Sequence, residues 1–308
     1  MDIITRANTT VLILDGSMAT ALEAQGVDTN NPLWTAAALD SNPQAVYQTH
    51  YDYFAAGAEV AITDSYQASL DKLRSLLKVD DDHARALITS AVTIAKQARD
   101  DYEQASGKHG FVAASVGPLG AALGDGSEYT GAYQRTRQQY LAFHRPRLEA
   151  LLAGKPDCLA IETQPKLTEV LVLLDWLQDQ VPQVPVYVSF SLRDGTHLAD
   201  GTSLLEAASL VSARSQVFAV GINCVAPRLV VPALTTLRQA TTKPLVAYPN
   251  RGAAYDPAAK QWTGLAPLAN LGKWAREWRA AGAQLIGGCC TMGPDAIGGI
   301  ARTLASKN

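Results

Sequence analysis

One phrase of apolar and polar positions recurs along the chain: a helical stretch ends, a glycine follows, then a short apolar run gives way to polar residues. DYFAAGAEVAITDS (52–65), LLAGKPDCLAIET (151–163) and WRAAGAQLIGGCC (278–290) are three copies. Gly57, Gly154 and Gly282 stand where a helix C-cap takes a left-handed residue. Each following run is short and nearly unbroken, as a parallel strand covered on both faces should be. The same phrase predicts eight strands: Val11–Leu14, Glu59–Thr63, Phe111–Ser115, Cys158–Ile161, Val186–Phe190, Val217–Ile222, Leu245–Tyr248 and Gln284–Gly287. Helical periodicity fills the intervals. Asp80 to Gln104 opens on three acids, favourable at a helix N-terminus, and spaces Leu87, Ile88, Ala91, Ala95 and Ala98 along one face. Lys166 to Gln180 does the same with Leu167, Val170, Leu171, Leu174 and Leu177. Eight alternations in 308 residues predict an α/β fold, a (β/α)8 TIM barrel forming one domain over residues 1–308. An open doubly wound sheet is disfavoured, because no GxGxxG follows the first strand.

Composition narrows the partners. Apolar residues make up 47% and charged residues 18%, which suits a globular chain with a large core. A net charge of −3 without a Lys/Arg run speaks against nucleic acid and against anionic membranes. No run of about 18 apolar residues is present, so no membrane span is expected. The apolar stretch Val11–Leu14 is too short for a signal-peptide core, and a cytoplasmic protein is expected.

Barrel enzymes carry their chemistry at the C-terminal ends of the strands. Here those ends read Asp15-Gly16-Ser17, Thr63-Asp64-Ser65 with Tyr66-Gln67 beyond, Ser115 to Pro118, Glu162-Thr163, Ser189 to Arg193, Asn223-Cys224, Tyr248 to Asn250, and Gly288-Cys289-Cys290. Three of the four cysteines thus share one face. In a reducing compartment cysteines serve packing or chemistry rather than disulfides. Three thiolates from rigid strand ends suit a tetrahedral zinc with its fourth position open, the pattern of catalytic sites. Cys158, in the middle of a strand, reads as a small core residue. The glycines before Cys289 and Cys290 fit a close approach of backbone and metal.

These residues resemble a known family. The segments LDGSMATALEAQG (14–26), TDSYQAS (63–69), SVGPLGA (115–121), ETQP (162–165), GINC (221–224) and IGGCC (286–290) are similar to those of the homocysteine S-methyltransferases. GSEYTGAY (126–133), FHRPR (143–147) and LRDGTHLADGT (192–202) resemble the short S-methylmethionine-type members. The resemblance implies a (β/α)8 barrel, zinc on Cys224, Cys289 and Cys290, and Asp15 and Glu162 on the homocysteine amino group. Gly16, Ser17, Thr63, Gln67 and Asn223 are expected to complete the substrate site. The implied reaction moves a methyl group from a sulfonium, S-methylmethionine or S-adenosylmethionine, to the homocysteine thiol, giving methionine. Betaine-using relatives carry Tyr directly after that glutamate, where Thr163 stands here. Methyltetrahydrofolate is not expected as donor, since its enzymes use cobalamin on extra domains. A selenol acceptor, selenocysteine or selenohomocysteine, stays open, and a monomer is expected.

The chemistry is coherent with these residues. A thiolate, not a thiol, is the nucleophile, and zinc lowers a bound thiol's pKa. The leaving group of a sulfonium is a neutral thioether, so positioning outweighs acid–base help. Acids can hold the substrate ammonium while backbone N–H groups receive its carboxylate; Asp15 in Asp-Gly could also be a plain turn residue. Trp34, Tyr66, Tyr129 and Glu128 are either a wall for the sulfonium or loop packing. His50, His83, His144, His197 and His109 lack metal-like spacing and read as surface or structural residues. Two other functions fit less well. A phosphate-binding barrel lyase would use Gly287-Gly288 but lacks a strand-end lysine. A zinc store or redox sensor would use the adjacent thiols but needs no polar residues at the other strand ends.

Overall fold

The computed structural model describes residues 1–252, 254–256 and 261–306, so residues 253, 257–260 and 307–308 of the expected 1–308 unit lie outside the described residues. Eight parallel strands form one sheet: β1 (Leu12–Ile13), β2 (Val60–Ile62), β3 (Phe111–Val116), β4 (Cys158–Gln164), β5 (Val186–Phe190), β6 (Val217–Asn223), β7 (Leu245–Tyr248) and β10 (Ala283–Ile286). Neighbours follow chain order from β2 to β7, then β10 and β1. The ring closes where Leu14 bridges Val60, with the Asp15 N–H donating to the Val60 carbonyl at 3.0 Å and the Glu59 N–H to Ile13 at 2.7 Å. This is the expected (β/α)8 barrel. A short antiparallel hairpin, β8 (Ala254–Asp256) with β9 (Gln261–Thr263), follows β7 and was not anticipated from the pattern.

Alternation along each buried strand divides the core in two. Leu12, Leu14, Phe111, Ala113, Cys158, Ala160, Tyr187, Phe218, Val246 and Leu285 fill the barrel interior. Ile13, Val112, Leu159, Ile161, Val188, Val220 and Ile286 face outward under the helices. Cys158 is fully buried in the interior cluster, the packing role read for it. At the N-terminus the Asp2 carboxylate caps a helix over Ile3–Thr9, accepting from the Thr5 N–H at 2.8 Å. Ile3 and Ala7 from that helix join the interior cluster. Its seven residues were too few for the periodicity to show.

Two local expectations are corrected. Gly57 and Gly282 are left-handed, at φ 110° and 100°, but Gly154 lies at φ −71° and Lys155 takes the left-handed conformation at φ 55°. Glycine is needed at 154 for space, since a Cβ there would sit 2.6 Å from the Val92 side chain. Strand β4 also runs beyond Ile161. Its pairing with β5 breaks and resumes at Gln164 opposite Phe190, with Thr163 at φ 55° in between. Such an irregularity re-aims side chains at a strand end, and here it sits at Glu162.

Candidate active site and metal centre

The three cysteines meet at the barrel mouth. Cys224 directly follows β6, and Cys289 and Cys290 follow β10 after Gly287-Gly288. Their sulfurs all lie within 4.8 Å of one another, with Cys224 Sγ and Cys290 Sγ 3.5 Å apart. Sulfurs about 2.3 Å from a tetrahedral zinc are separated by about 3.8 Å, so the cluster fits such an ion. Backbone bonds from the Cys224 N–H to Tyr248 O (3.1 Å), from Cys289 to Pro249 O (2.9 Å) and from Cys290 to Asn250 Oδ1 (3.2 Å) tie both strand ends to the end of β7. Hydrogen bonds from Cys289 and Cys290 hold the Cys224 thiol well below its usual range. Their hydrogen bonds to Cys224 in turn push Cys289 and Cys290 up, with burial and the Cys224 charge adding to the shift. A bound cation would allow all three to ionise together.

The glycines before the cysteines serve a purpose other than approach to a metal. A Cβ on Gly287 would meet Leu14 Cβ at 2.6 Å, and one on Gly288 would meet Met292 Cβ at 2.5 Å. Gly287 lets β10 close against the end of β1 and Gly288 lets the turn through Met292 fold back on it, which together set the cysteines over the mouth.

A cavity of ≈ 90 Å³ opens beside the sulfurs. Glu162 lines it. Its Oε1 accepts from the Ser115 hydroxyl and its Oε2 from the Tyr248 hydroxyl at 2.9 Å. Burial still raises the carboxyl to about 7. Asp15 is buried and is not among the lining residues. Its Oδ2 accepts from the Ile62 N–H at 2.8 Å, while Oδ1 has no partner. Burial raises Asp15 well above the carboxylate range, and the nearby Glu162 charge adds to it.

The remaining expected residues divide. Gly16, Ser17 and Thr63 line the cavity. A Cβ on Gly16 would lie 2.1 Å from the Met292 carbonyl, so only glycine fits there. The Ser17 hydroxyl caps the helix Met18–Ala24, accepting from the Thr20 N–H at 3.2 Å. The Thr63 hydroxyl bonds Ser65 at 2.7 Å and accepts from the Ser115 N–H at 3.0 Å. Both hydroxyls are thus engaged in the scaffold. The structure does not bring Asn223 or Gln67 to the cavity wall. Asn223 instead accepts from the Thr163 N–H (2.7 Å) and the Ser189 hydroxyl (2.8 Å) and donates to Thr163 Oγ1 (2.7 Å). It braces the left-handed turn after Glu162. Gln67 is half-buried outside the lining.

Trp34, Tyr66 and Tyr129 all face the cavity, whereas Glu128 does not. Trp34 and Tyr66 pack edge to face at 6.2 Å and 75°, and the Tyr129 hydroxyl lies 3.2 Å from Cys224 Sγ. Among the described residues six non-glycines have positive φ, and four of them, Trp34, Thr163, Cys224 and Thr291, cluster at this mouth, as strained backbone does at functional sites. Two residues that the sequence reading left without a role stand out. Tyr248 fixes Glu162, and Asp64 lines the wall with a bare carboxyl oxygen. Both were visible only as strand-end residues.

Behind the aromatic wall runs a buried polar chain. Arg147 donates to the Gly117 carbonyl (2.6 Å), the Tyr66 carbonyl (3.3 Å) and His144 Nδ1 (2.7 Å). His144 Nε2 meets Glu169 Oε1 at 2.7 Å, and the Tyr133 hydroxyl donates to Glu169 Oε2 at 2.6 Å. His144 is therefore structural, as read from the sequence.

Fold and site together define a parallel barrel whose mouth gathers three thiols at metal-ligand spacing beside buried acids. The sequence profile of the homocysteine S-methyltransferases matches residues 12–304, and the chain belongs to that family. It is similar to homocysteine S-methyltransferase YbgG of Bacillus subtilis, with 41% identity over 94% of this chain and 93% of that one. It is 43% identical to the Escherichia coli homocysteine S-methyltransferase over 92% of each chain. The crystal structure of the E. coli homocysteine methyltransferase MmuM in its metallated form superimposes with a TM-score of 0.86 at 40% identity, covering 96% of both chains. The oxidized form of MmuM gives a TM-score of 0.89.

Proposed function

We propose that residues 1–308 act as one homocysteine-binding barrel, with zinc on Cys224, Cys289 and Cys290 and a sulfonium as methyl donor. As a member of its family the chain transfers a methyl group to the homocysteine sulfur, giving methionine. The observation that carries the finer assignment is the three sulfurs within 4.8 Å of one another beside two buried acids that face no cation. S-Methylmethionine is the preferred donor in this proposal and S-adenosylmethionine the slower one.

Zinc on the three cysteines supplies a Lewis acid that makes the thiolate available at neutral pH. Glu162 receives the homocysteine ammonium, held in place by Ser115 and Tyr248, and the buried Asp15 beside it ionises once that ammonium is bound. Gly16, Ser17 and Thr63 shape the wall on which the amino acid rests. Trp34, Tyr66 and Tyr129 offer ring faces to the sulfonium and exclude water from it. One carbon–sulfur bond forms to homocysteine as another breaks at the donor. The breaking pair stays on the donor sulfur, which leaves as a thioether, and no proton moves at the methyl group. With S-methylmethionine both products are methionine.

Among the described residues no helix is long and apolar enough to cross a membrane. The working form we propose is a cytoplasmic monomer, which sedimentation at assay concentration checks. The central test is metal content of the purified protein, followed by kcat/KM for each donor at fixed homocysteine. We expect about one zinc per chain, S-methylmethionine ahead of S-adenosylmethionine, and no turnover of betaine or methyltetrahydrofolate. Either of the last two outperforming both sulfoniums overturns the donor assignment.

A further inference from the structure

Asp64 is a third acid at the mouth and is separate from the homocysteine pair. It follows β2, is 3% exposed, and lines the cavity. Its Oδ2 is buried with no hydrogen-bond partner. An unpaired buried carboxyl oxygen is costly, so its retention on a cavity wall points to a partner that arrives with a ligand. Burial pushes the group up to about 7, opposed only by a hydrogen bond from Thr35. Glu162, by contrast, feels the charge of Cys224, and Asp15 feels that of Glu162.

The surroundings of Asp64 identify the ligand group. Trp34 and Tyr66, the edge-to-face pair, share its wall, and Trp34 holds a strained φ of 53°. Rings of this kind accept a sulfonium, which has no N–H or O–H to give. A bare carboxylate oxygen wants a hydrogen-bond donor, and an ammonium is one. Glu128 also has an unpartnered Oε2, but it stays off the cavity wall and faces the charge of Lys72. Asp64 is the unpartnered acid that a ligand in the cavity can reach.

We propose that Asp64 docks the ammonium of the methyl donor's amino-acid end and thereby selects amino-acid sulfoniums over simple ones. This rests on the sulfonium-donor proposal above. Asp64→Asn keeps the shape and removes the charge. Wild type and variant are compared with S-methylmethionine and with dimethylsulfoniopropionate, a sulfonium that has no amino group, used as donor or as competitive inhibitor. In the variant the KM for S-methylmethionine should rise about tenfold or more, the loss expected of a charge-assisted hydrogen bond. The constant for dimethylsulfoniopropionate, the KM for homocysteine and the metal content should stay within about twofold, well below that loss. The variant should melt at or above wild type at pH 8, because the cost of the unpaired buried carboxylate is gone. An unchanged KM for S-methylmethionine overturns the assignment. So does equal weakening of both sulfoniums, a raised homocysteine KM, or a lowered melting temperature with general loss of activity. If wild type turns over neither S-methylmethionine nor S-adenosylmethionine, the donor proposal fails together with this one. If wild type uses S-methylmethionine and Asp64→Asn is indifferent, only the role of Asp64 fails.

Discussion

Replacing Glu162 by glutamine tests the acid site in two independent ways. Glutamine keeps one oxygen to accept from Ser115 or Tyr248, but its amide offers N–H groups where an ammonium must bind. Losing a charge-assisted hydrogen bond costs about 1.5–3 kcal/mol, so the homocysteine KM should rise about 10- to 150-fold. Metal content should be unchanged, since Glu162 is not part of the sulfur cluster. The second consequence concerns stability. Burial lifts this carboxyl from 4.5 to about 7 in the folded chain. The unfolded chain therefore loses its proton first as pH rises, and the native state loses stability between about 4.5 and about 7. At about 1.4 kcal/mol per pH unit that interval corresponds to about 3 kcal/mol, absent from the glutamine variant. The same ionisation governs binding. Wild-type kcat/KM for homocysteine should climb through pH 7 as Glu162 becomes charged, and the variant should lack that limb. The assays are steady-state kinetics from pH 6 to 9 and urea unfolding at pH 5 and 8. An unchanged homocysteine KM, or a variant no more stable than wild type at pH 8, would refute the reasoning.

Alanine at Cys224, Cys289 or Cys290 should abolish tight metal binding and activity, whereas Cys158→Ala should keep both and lose only stability; full loading of Cys289→Ala contradicts the metal site. Asn223→Ala leaves the Thr163 N–H and hydroxyl without partners, and kcat/KM should fall at least tenfold with metal retained, as measured by kinetics and metal analysis. Gly221→Ala puts a Cβ 1.9 Å from the Val246 carbonyl between β6 and β7, and little folded protein should be recovered by circular dichroism.

What could be read from the chain beforehand follows a physical division. Strands β5 and β7 carry the expected limits because a doubly covered strand leaves an unbroken apolar run, and helix ends flank it. The meeting of Cys224, Cys289 and Cys290 was equally legible, since a cysteine has few reasons to stand at a strand end. Strand β4 was read short because Glu162 to Gln164 are polar, yet all three are buried: the Gln164 amide donates to the Val116 and Glu162 carbonyls, while Ser115 and Tyr248 hold Glu162 and Asn223 holds Thr163. Those partners are 47, 86 and 60 residues from the groups they hold, distances over which spacing carries no information. The same limit explains Asn223, expected on the substrate and found on Thr163. Asp64 went unassigned for a simpler reason: its significance is an empty hydrogen-bonding position, which only coordinates reveal.

The Arg147–His144–Glu169 chain has a consequence for how substrates come and go. One end holds the backbone of Tyr66 and the other holds Tyr133, which closes the loop bearing Tyr129. Lys166 further ties that loop by donating to the Gly131 carbonyl at 3.1 Å, and Ser191 by donating to the Glu128 carbonyl at 2.7 Å. Swinging the loop outward would take the Tyr133 hydroxyl from the buried Glu169 and break the Lys166 and Ser191 ties, a larger cost than the fraying of an ordinary surface loop. Amide protons of Gly131 and Tyr133, bonded at 2.7 Å to Ser127 and Gly131, should therefore exchange on the slow timescale of sub-global opening. Traffic through the mouth then proceeds past a standing wall rather than a moving gate. The methyl donor must thread an aperture whose width is built in at folding, and product escape becomes a matter of diffusion instead of loop motion.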